Sequence, residues 1–457
     1  MKKLMAFTSS VVISVAALAQ NTDSAFIRRI ADEVLTNGQS YEDLRVLTKK
    51  VGARLSGSPQ MVKAEQWGLQ TLKALDPDKA WLQQCMVPHW VRGGKDEAKA
   101  TYTSKGSRQV KELNVVALGN SVGSMKPLTA DVVEVKDFEE LQSKKDEVKG
   151  KIVFYSYAFI PTYVRTFRSY ADAVKYRGNG PSEAARYGAV GVIVRSMSHG
   201  ANNVPHTGST KYADSIARIP AAAIGLEDAD WLSSQLKNGK VAVTMLTRGR
   251  SLPDTIGHNV IAEIKGSEFP DEYITVGGHL DSWDVGEGAH DDGAGIVQTI
   301  EVLRTFKKLG YQPKRTIRFV LFANEENGTR GGQKYAEEAM ANGEKHIFAL
   351  ESDNGGFTPR GFSMTGTDAQ YQKMFSWQPI LAPYGAIEIE RGGGGADIGP
   401  LARTQNTPVA GLQPDSQRYF DLHHATNDVF EAVNKRELEL GAINMAALIY
   451  LVDRHGM

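Results

Sequence analysis

The 457-residue sequence predicts an α/β fold: a mixed, largely parallel sheet with helices on both faces, interrupted by an inserted second domain. Three observations support this. Four segments in the second half, "HNVIAEIKG", "YITVGGHL", "TIRFVLFANEE" and "HIFALESDNG", each read as an apolar strand running into a polar cluster, and helical patterns separate them. From about Thr129 to Leu246 the texture changes to short β-branched strands alternating with small helices, as in "VKGKIVFYSY" and "EAARYGAVGVIVRS". The length also exceeds what one compact core usually covers.

The elements follow in order. "MKKLMAFTSSVVISVAALAQ" joins a basic pair, an apolar run and a small-x-small ending, the pattern of a signal peptide over residues 1–19 cleaved before Gln20. The run is shorter than the ~18 residues needed to span a bilayer, so a secreted or periplasmic protein without a membrane anchor is expected. Phe26, Ile27, Ile30, Val34 and Leu35 recur at helical spacing, Leu44 and Leu47 begin a second helix, and "VGARLSGSPQMVKAEQWGLQTLKAL" turns into a third. The boundaries read as 20–128 and 247–457 for a split main domain, with 129–246 inserted between them. Ile296, Val297, Ile300, Leu303 and Phe306 mark a later helix, and Lys435–Asp453 a final one.

Charge excludes one class of partner. The 53 basic and 53 acidic side chains cancel, which argues against a nucleic acid held by bulk electrostatics. A single cysteine, Cys85, rules out an internal disulfide, so stability must come from packing or bound metal.

The chemistry gathers where the strands end. "GHLDS" at 278–282, "HDDGAG" at 290–295, "NEEN" at 324–327, "ESDNG" at 351–355 and "FDLHHATND" at 420–428 are each weak alone. Together they supply nitrogen and oxygen ligands of the kind that bind zinc, placed at the carboxyl ends of strands where open α/β sheets build their sites. A pair of zinc ions about 3.5–4 Å apart needs a bridging carboxylate plus further ligands for each ion. Asp291 suits the bridge, His279 and Asp353 one ion, and Glu326 with a histidine of the His423–His424 pair the other. Glu325 is then free to act as a base, while Asp281 and Asp428 are candidates to accept the second ring N–H of the two histidines. The stretch "IERGGGGADIGPL" at 389–401 reads as a pocket wall or a surface loop, and Arg391 as a candidate partner for a substrate carboxylate.

These elements, in this order, resemble the dizinc exopeptidase family of aminopeptidase and glutamate carboxypeptidase type. The likeness is strongest to its carboxypeptidase Q branch, through "VGARLSGSP", "VPHWVRGG", "GHLDSWDVGEGAHDDGAG" and "ESDNG". The resemblance implies a zinc-exopeptidase fold, a protease-associated domain over 129–246, two Zn2+ per chain, short peptide substrates and a homodimer. It makes His279, Asp291, Glu326, Asp353 and His424 the metal ligands, with His424 preferred because His424 and Asp428 reproduce the family's H-x-x-x-D spacing. It makes Glu325 the general base and the Asp291–Asp292 peptide cis. His423 stands where some relatives carry an oxyanion-stabilising tyrosine, so His423 or Tyr419 is the expected donor. Two other readings share the fold: a non-catalytic binding protein of transferrin-receptor type, and a single-zinc glutaminyl cyclase.

Overall fold

The computed structural model describes residues 22–457. The segment 1–19, expected as a signal peptide, lies outside the described residues. Two eight-stranded sheets organise the chain. The first has the order Lys79–Val91, Arg250–Ile264, Arg315–Phe322, Phe269–His279, Lys345–Glu351, Val409–Pro414, Pro359–Thr365, Glu388–Arg391. Its centre is parallel, with Phe269–His279 paired to both neighbours and Lys345–Glu351 to Val409–Pro414. Antiparallel pairs flank that centre.

The strand Arg315–Phe322 is buried from Thr316 onward because both of its faces are covered. Alternate side chains point to opposite faces of a strand. Phe319 and Leu321 therefore join one core with Ile296, Ile300 and Phe306 of the helix Ala294–Lys308, while Val320 and Phe322 pack with Tyr335 and Ala339 of the helix Arg330–Ala341. Ile27, Ile30 and Val34, on a helix over residues 22–37, belong to the first of these cores, as does the final helix Lys435–His455. Helix starts follow local chemistry. The Ser58 side chain accepts from the Met61 N–H ahead of Pro59, and Asn434 accepts from the N–H groups of Arg436 and Glu437.

The second sheet has the order Ser107–Leu113, Glu97–Ser104, Val241–Leu246, Leu128–Val135, Ile152–Tyr155, Gly191–Arg195, Ala221–Ile224, Val115–Ala117. It draws in strands that precede Thr129. The hairpin Glu97–Leu113 is half polar and lies at the sheet's edge, paired to Val241–Leu246, so nothing in its own pattern ties it to the later block. The chain leaves the first sheet after Val91 and returns at Arg250, and these two residues are register partners. The second sheet is thus entered and left at one point.

Candidate active site

Three of the acidic or histidine clusters sit at or just beyond the end of a strand of the first sheet. His279 ends Phe269–His279, Glu325 and Glu326 follow Arg315–Phe322, and Asp353 follows Lys345–Glu351. Asp291 and Asp292 lie in a turn over Ala289–Gly293, joined by a cis peptide, at the mouth of the helix Ala294–Lys308. The Asp292 carboxylate accepts the backbone N–H of His279 and of Gly295, each at 3.0 Å, which clamps turn to strand. The clamp leaves no space for side chains. A Cβ at Gly295 would meet Ser352 O at 2.0 Å, and one at Gly278 would meet Asp292 Oδ2 at 2.5 Å. Glycine is required here by close approach.

Asp291 stands between two groups of donors. Its Oδ1 is 3.3 Å from His279 Nε2, which is also 3.2 Å from Asp353 Oδ1. Its Oδ2 is 3.1 Å from His424 Nε2, which in turn is 3.0 Å from Glu326 Oε2. Yet Asp291 Oδ2 and Glu326 Oε1 are buried without a hydrogen-bond partner. Buried carboxylate oxygens are almost always satisfied, so these atoms fit a cation rather than each other.

The electrostatics agree. Burial raises the Glu325 carboxyl well above the usual range, reinforced by Asp353 and Glu326 and opposed by His279. Glu326 is pushed up to about 7, first by burial and then by Asp291. Burial also acts to raise Asp291, but the imidazoles of His279 and His424 hold it well below the usual range. Burial lowers His424, but Glu326 and Asp291 overcome this and lift it to about 9. Acids and imidazoles thus share protons in a buried place, and their nitrogen and oxygen donors suit zinc.

His423 stacks on His424 with ring centroids 3.5 Å apart, and its Nε2 lies 3.7 Å from Asp291 Oδ2, farther than that of His424. A donor atom from each of Asp291, His423 and His424 lies within 4.8 Å of the others, as for His279, Asp291 and Asp353. The nearer approach and the contact with Glu326 favour His424 as the ligand. Tyr419 is buried against Phe167 and His423.

The supporting residues differ from expectation. The His279 Nδ1–H donates to the backbone carbonyl of Asp281 at 3.0 Å, while the Asp281 carboxylate, 3.8 Å from that nitrogen, accepts the N–H groups of Glu325 and Glu326. Asp428 accepts the N–H groups of His290 and Asp291 at 2.8 and 3.1 Å, whereas His424 Nδ1 faces Thr207 O at 3.3 Å. His424 has φ +61°, so the four-residue spacing to Asp428 is not a helical one and does not bring ring and carboxylate together. Arg54, from "VGARLSGSP", is wholly buried and donates to the carbonyls of Leu280, Glu287 and Gly288 behind the site.

A cavity of about 610 Å³ opens over these residues, between the two sheets. Asp291, Glu325, Glu326 and Asp353 line it from the first sheet, and Tyr170 and Arg177 from the helix Thr166–Gly178 beside the second sheet. The glycine-rich stretch does not line it. Gly395 closes on Glu351, whose Oε2 accepts the N–H groups of Asp397 and Ile398 at 3.0 Å each. Arg391 is exposed, paired with Asp368 at 2.7 Å and stacked over Tyr371. Arg177 is the cavity's arginine, and it was not legible in sequence. It is 7 % exposed and, among the described residues, has no acidic partner. Its guanidinium meets Tyr170 OH at 2.6 Å, Thr207 O at 3.4 Å and His424 Nδ1 at 3.3 Å, and its Nε is buried without a partner. The local pattern "VKYRGNG" looks like any basic helix end. Only the packing of the helix Thr166–Gly178, beside the second sheet, brings it here.

Comparison with known proteins matches residues 259–449 to the model for peptidase family M28. Carboxypeptidase Q of Mus musculus is 36% identical over 416 residues, covering 91% of this chain and 85% of that protein, and that of Homo sapiens is 35% identical over the same lengths. Among solved structures, a peptidase M28 precursor from Shewanella amazonensis SB2B superposes with a TM-score of 0.88 at 32% identity, over 95% of this chain and 97% of that one. A zinc aminopeptidase from Bacillus subtilis, 20% identical, shares the fold with a TM-score of 0.63 over 90% of this chain and 94% of its own.

Proposed function

Because the chain belongs to peptidase family M28, we propose that it is a zinc-dependent exopeptidase hydrolysing dipeptides and short peptides at a pair of zinc ions. The observation that carries this reading is the position of Asp291, one oxygen facing His279 and the other His424. His279 and Asp353 would hold one ion and Glu326 and His424 the other, with Asp291 placed to serve both. Zinc bound there supplies a water of near-neutral pKa and polarises the scissile carbonyl.

The chain's own residues do the rest. Glu325 faces the cavity beside the ligands, accepts the proton of the attacking water and returns it to the leaving amine. His423, at the cavity wall next to Asp291, is the donor to the developing oxyanion. Arg177 holds the substrate's terminal carboxylate, since a buried guanidinium without an acid is matched by a carboxylate arriving with the ligand. That orientation suits removal of a residue from a free carboxyl end, the activity named for the carboxypeptidase Q relatives.

The second sheet, entered and left at Val91 and Arg250, is in this reading the inserted protease-associated domain that roofs the cavity. The N-terminal pattern supports export to the periplasm or beyond, and among the described residues no helix is long and apolar enough to cross a membrane. Elemental analysis of active protein, with a panel of free and terminally blocked dipeptides assayed with and without chelator, tests the whole reading. Two zinc equivalents and chelator-sensitive cleavage of free dipeptides are expected. One equivalent or none in fully active protein overturns it.

A further inference from the structure

The loop bearing His423 and His424 is held largely by the second domain. Thr207 N–H donates to His424 O at 2.9 Å, and Thr207 O faces His424 Nδ1 at 3.3 Å, so one residue of the second domain grips both the backbone and the ring of His424. The neighbouring His206 donates from Nδ1 to His423 O at 2.7 Å. This gripping segment is itself tied to the second sheet. Ser196 Oγ accepts the His206 N–H at 2.9 Å and donates to Ile224 O at 2.7 Å, and Thr207 Oγ1 donates to Ala117 O at 2.8 Å. His206 and Thr207 are both buried.

We propose that His206 and Thr207 are positioning residues of the metal centre, so that the second domain sets zinc affinity at the His424 half of the site as well as roofing it. The proposal rests on His424 being a ligand. With Nδ1–H directed at Thr207 O, which makes the donor-only Arg177 Nη1 a neighbour of that nitrogen and not its hydrogen-bond partner, the Nε2 lone pair is turned toward Glu326 and Asp291, the arrangement that metal-binding imidazoles need from their outer partners. His206 fixes the peptide before it. The His279 half has no such dependence, because its Nδ1 is held by Asp281 O within the first domain.

Chelator competition on the full-length protein tests this. His206→Ala is expected to weaken one of the zinc equivalents by roughly 10–100-fold and leave the other unchanged, and His206→Asn, which keeps a donor toward His423 O, to recover most of the loss. Hydrogen exchange on the unmodified protein gives a second readout should His206→Ala fail to fold: zinc should slow exchange of the Thr207 amide. Folded His206→Ala with both affinities intact, or a Thr207 amide indifferent to zinc, overturns the proposal. His424→Ala separates it from the reading beneath. Loss of a zinc in His424→Ala but not in His206→Ala defeats the positioning role alone, whereas full zinc in His424→Ala defeats the ligand assignment.

Discussion

Asp281 accepts the backbone N–H of Glu325 through Oδ1 at 3.0 Å, and its other oxygen stands 3.3 Å from the N–H of Glu326. A single buried carboxylate thus aims two adjacent acids that are assigned different work. Glu325→Gln should keep both zinc ions and lower kcat by about 10²–10⁴-fold, because proton transfer is lost while ligation is not. Glu326→Gln should lose one ion as well. Elemental analysis beside steady-state kinetics checks the pair, and near-normal turnover in Glu325→Gln would assign the base elsewhere.

The adjacent histidines separate in the same way. His424 Nε2 approaches both Asp291 and Glu326, whereas His423 Nε2 stops 3.7 Å from Asp291. His424→Ala should weaken one zinc site, and His423→Ala should keep the metal and lower kcat. Metal content and kcat measured on both variants decide it. The opposite pattern transfers the ligand role to His423.

Arg54 carries a prediction about stability. Its guanidinium is buried with three backbone carbonyls as acceptors and lies near Asp428, Asp281, Asp292 and Asp291, whose charges favour its ionised form against burial. Arg54→Met takes the side-chain donor from the Leu280 and Glu287 carbonyls, while Gly288 O keeps the Gly293 N–H, at a cost of about 2 kcal/mol or more. Thermal unfolding of the metal-free protein should show a clear fall in Tm. An unchanged Tm would mean that water replaces the guanidinium.

Much of this site could be read from sequence because its parts are local. His279 ends an apolar strand and Glu326 and Asp353 follow others, and a parallel sheet delivers strand ends to one edge without further information. What could not be read depends on approach across the chain. Asp428 serves backbone N–H groups 137 and 138 residues earlier, and Arg177 reaches His424 from 247 residues away. Nor does spacing report a left-handed residue. His424 has φ +61°, and its ring faces Thr207 O through Nδ1 and not Asp428, four residues on. Arg391 looked suitable because it borders glycines, yet Asp368 neutralises it at the surface.

Arg177 gives the sharpest test of substrate orientation. Among the described residues no acid pairs with this deeply placed guanidinium and its Nε is buried without a partner, so the free protein leaves a donor awaiting an anion. A peptide's terminal carboxylate supplies that anion, and each such charge-assisted contact contributes about 1.5–3 kcal/mol. Arg177→Met should therefore lower kcat/KM for a dipeptide with a free carboxyl end by roughly thirty-fold, about 2 kcal/mol. The same dipeptide amidated at that end should be a poor substrate of the unmodified enzyme and lose little more in the variant. Because Arg177 also borders His424, zinc content must be measured in parallel, and a variant with full zinc isolates the carboxylate contact from any effect on the metal. Equal losses for free and amidated substrates at full zinc would remove Arg177 from carboxylate recognition.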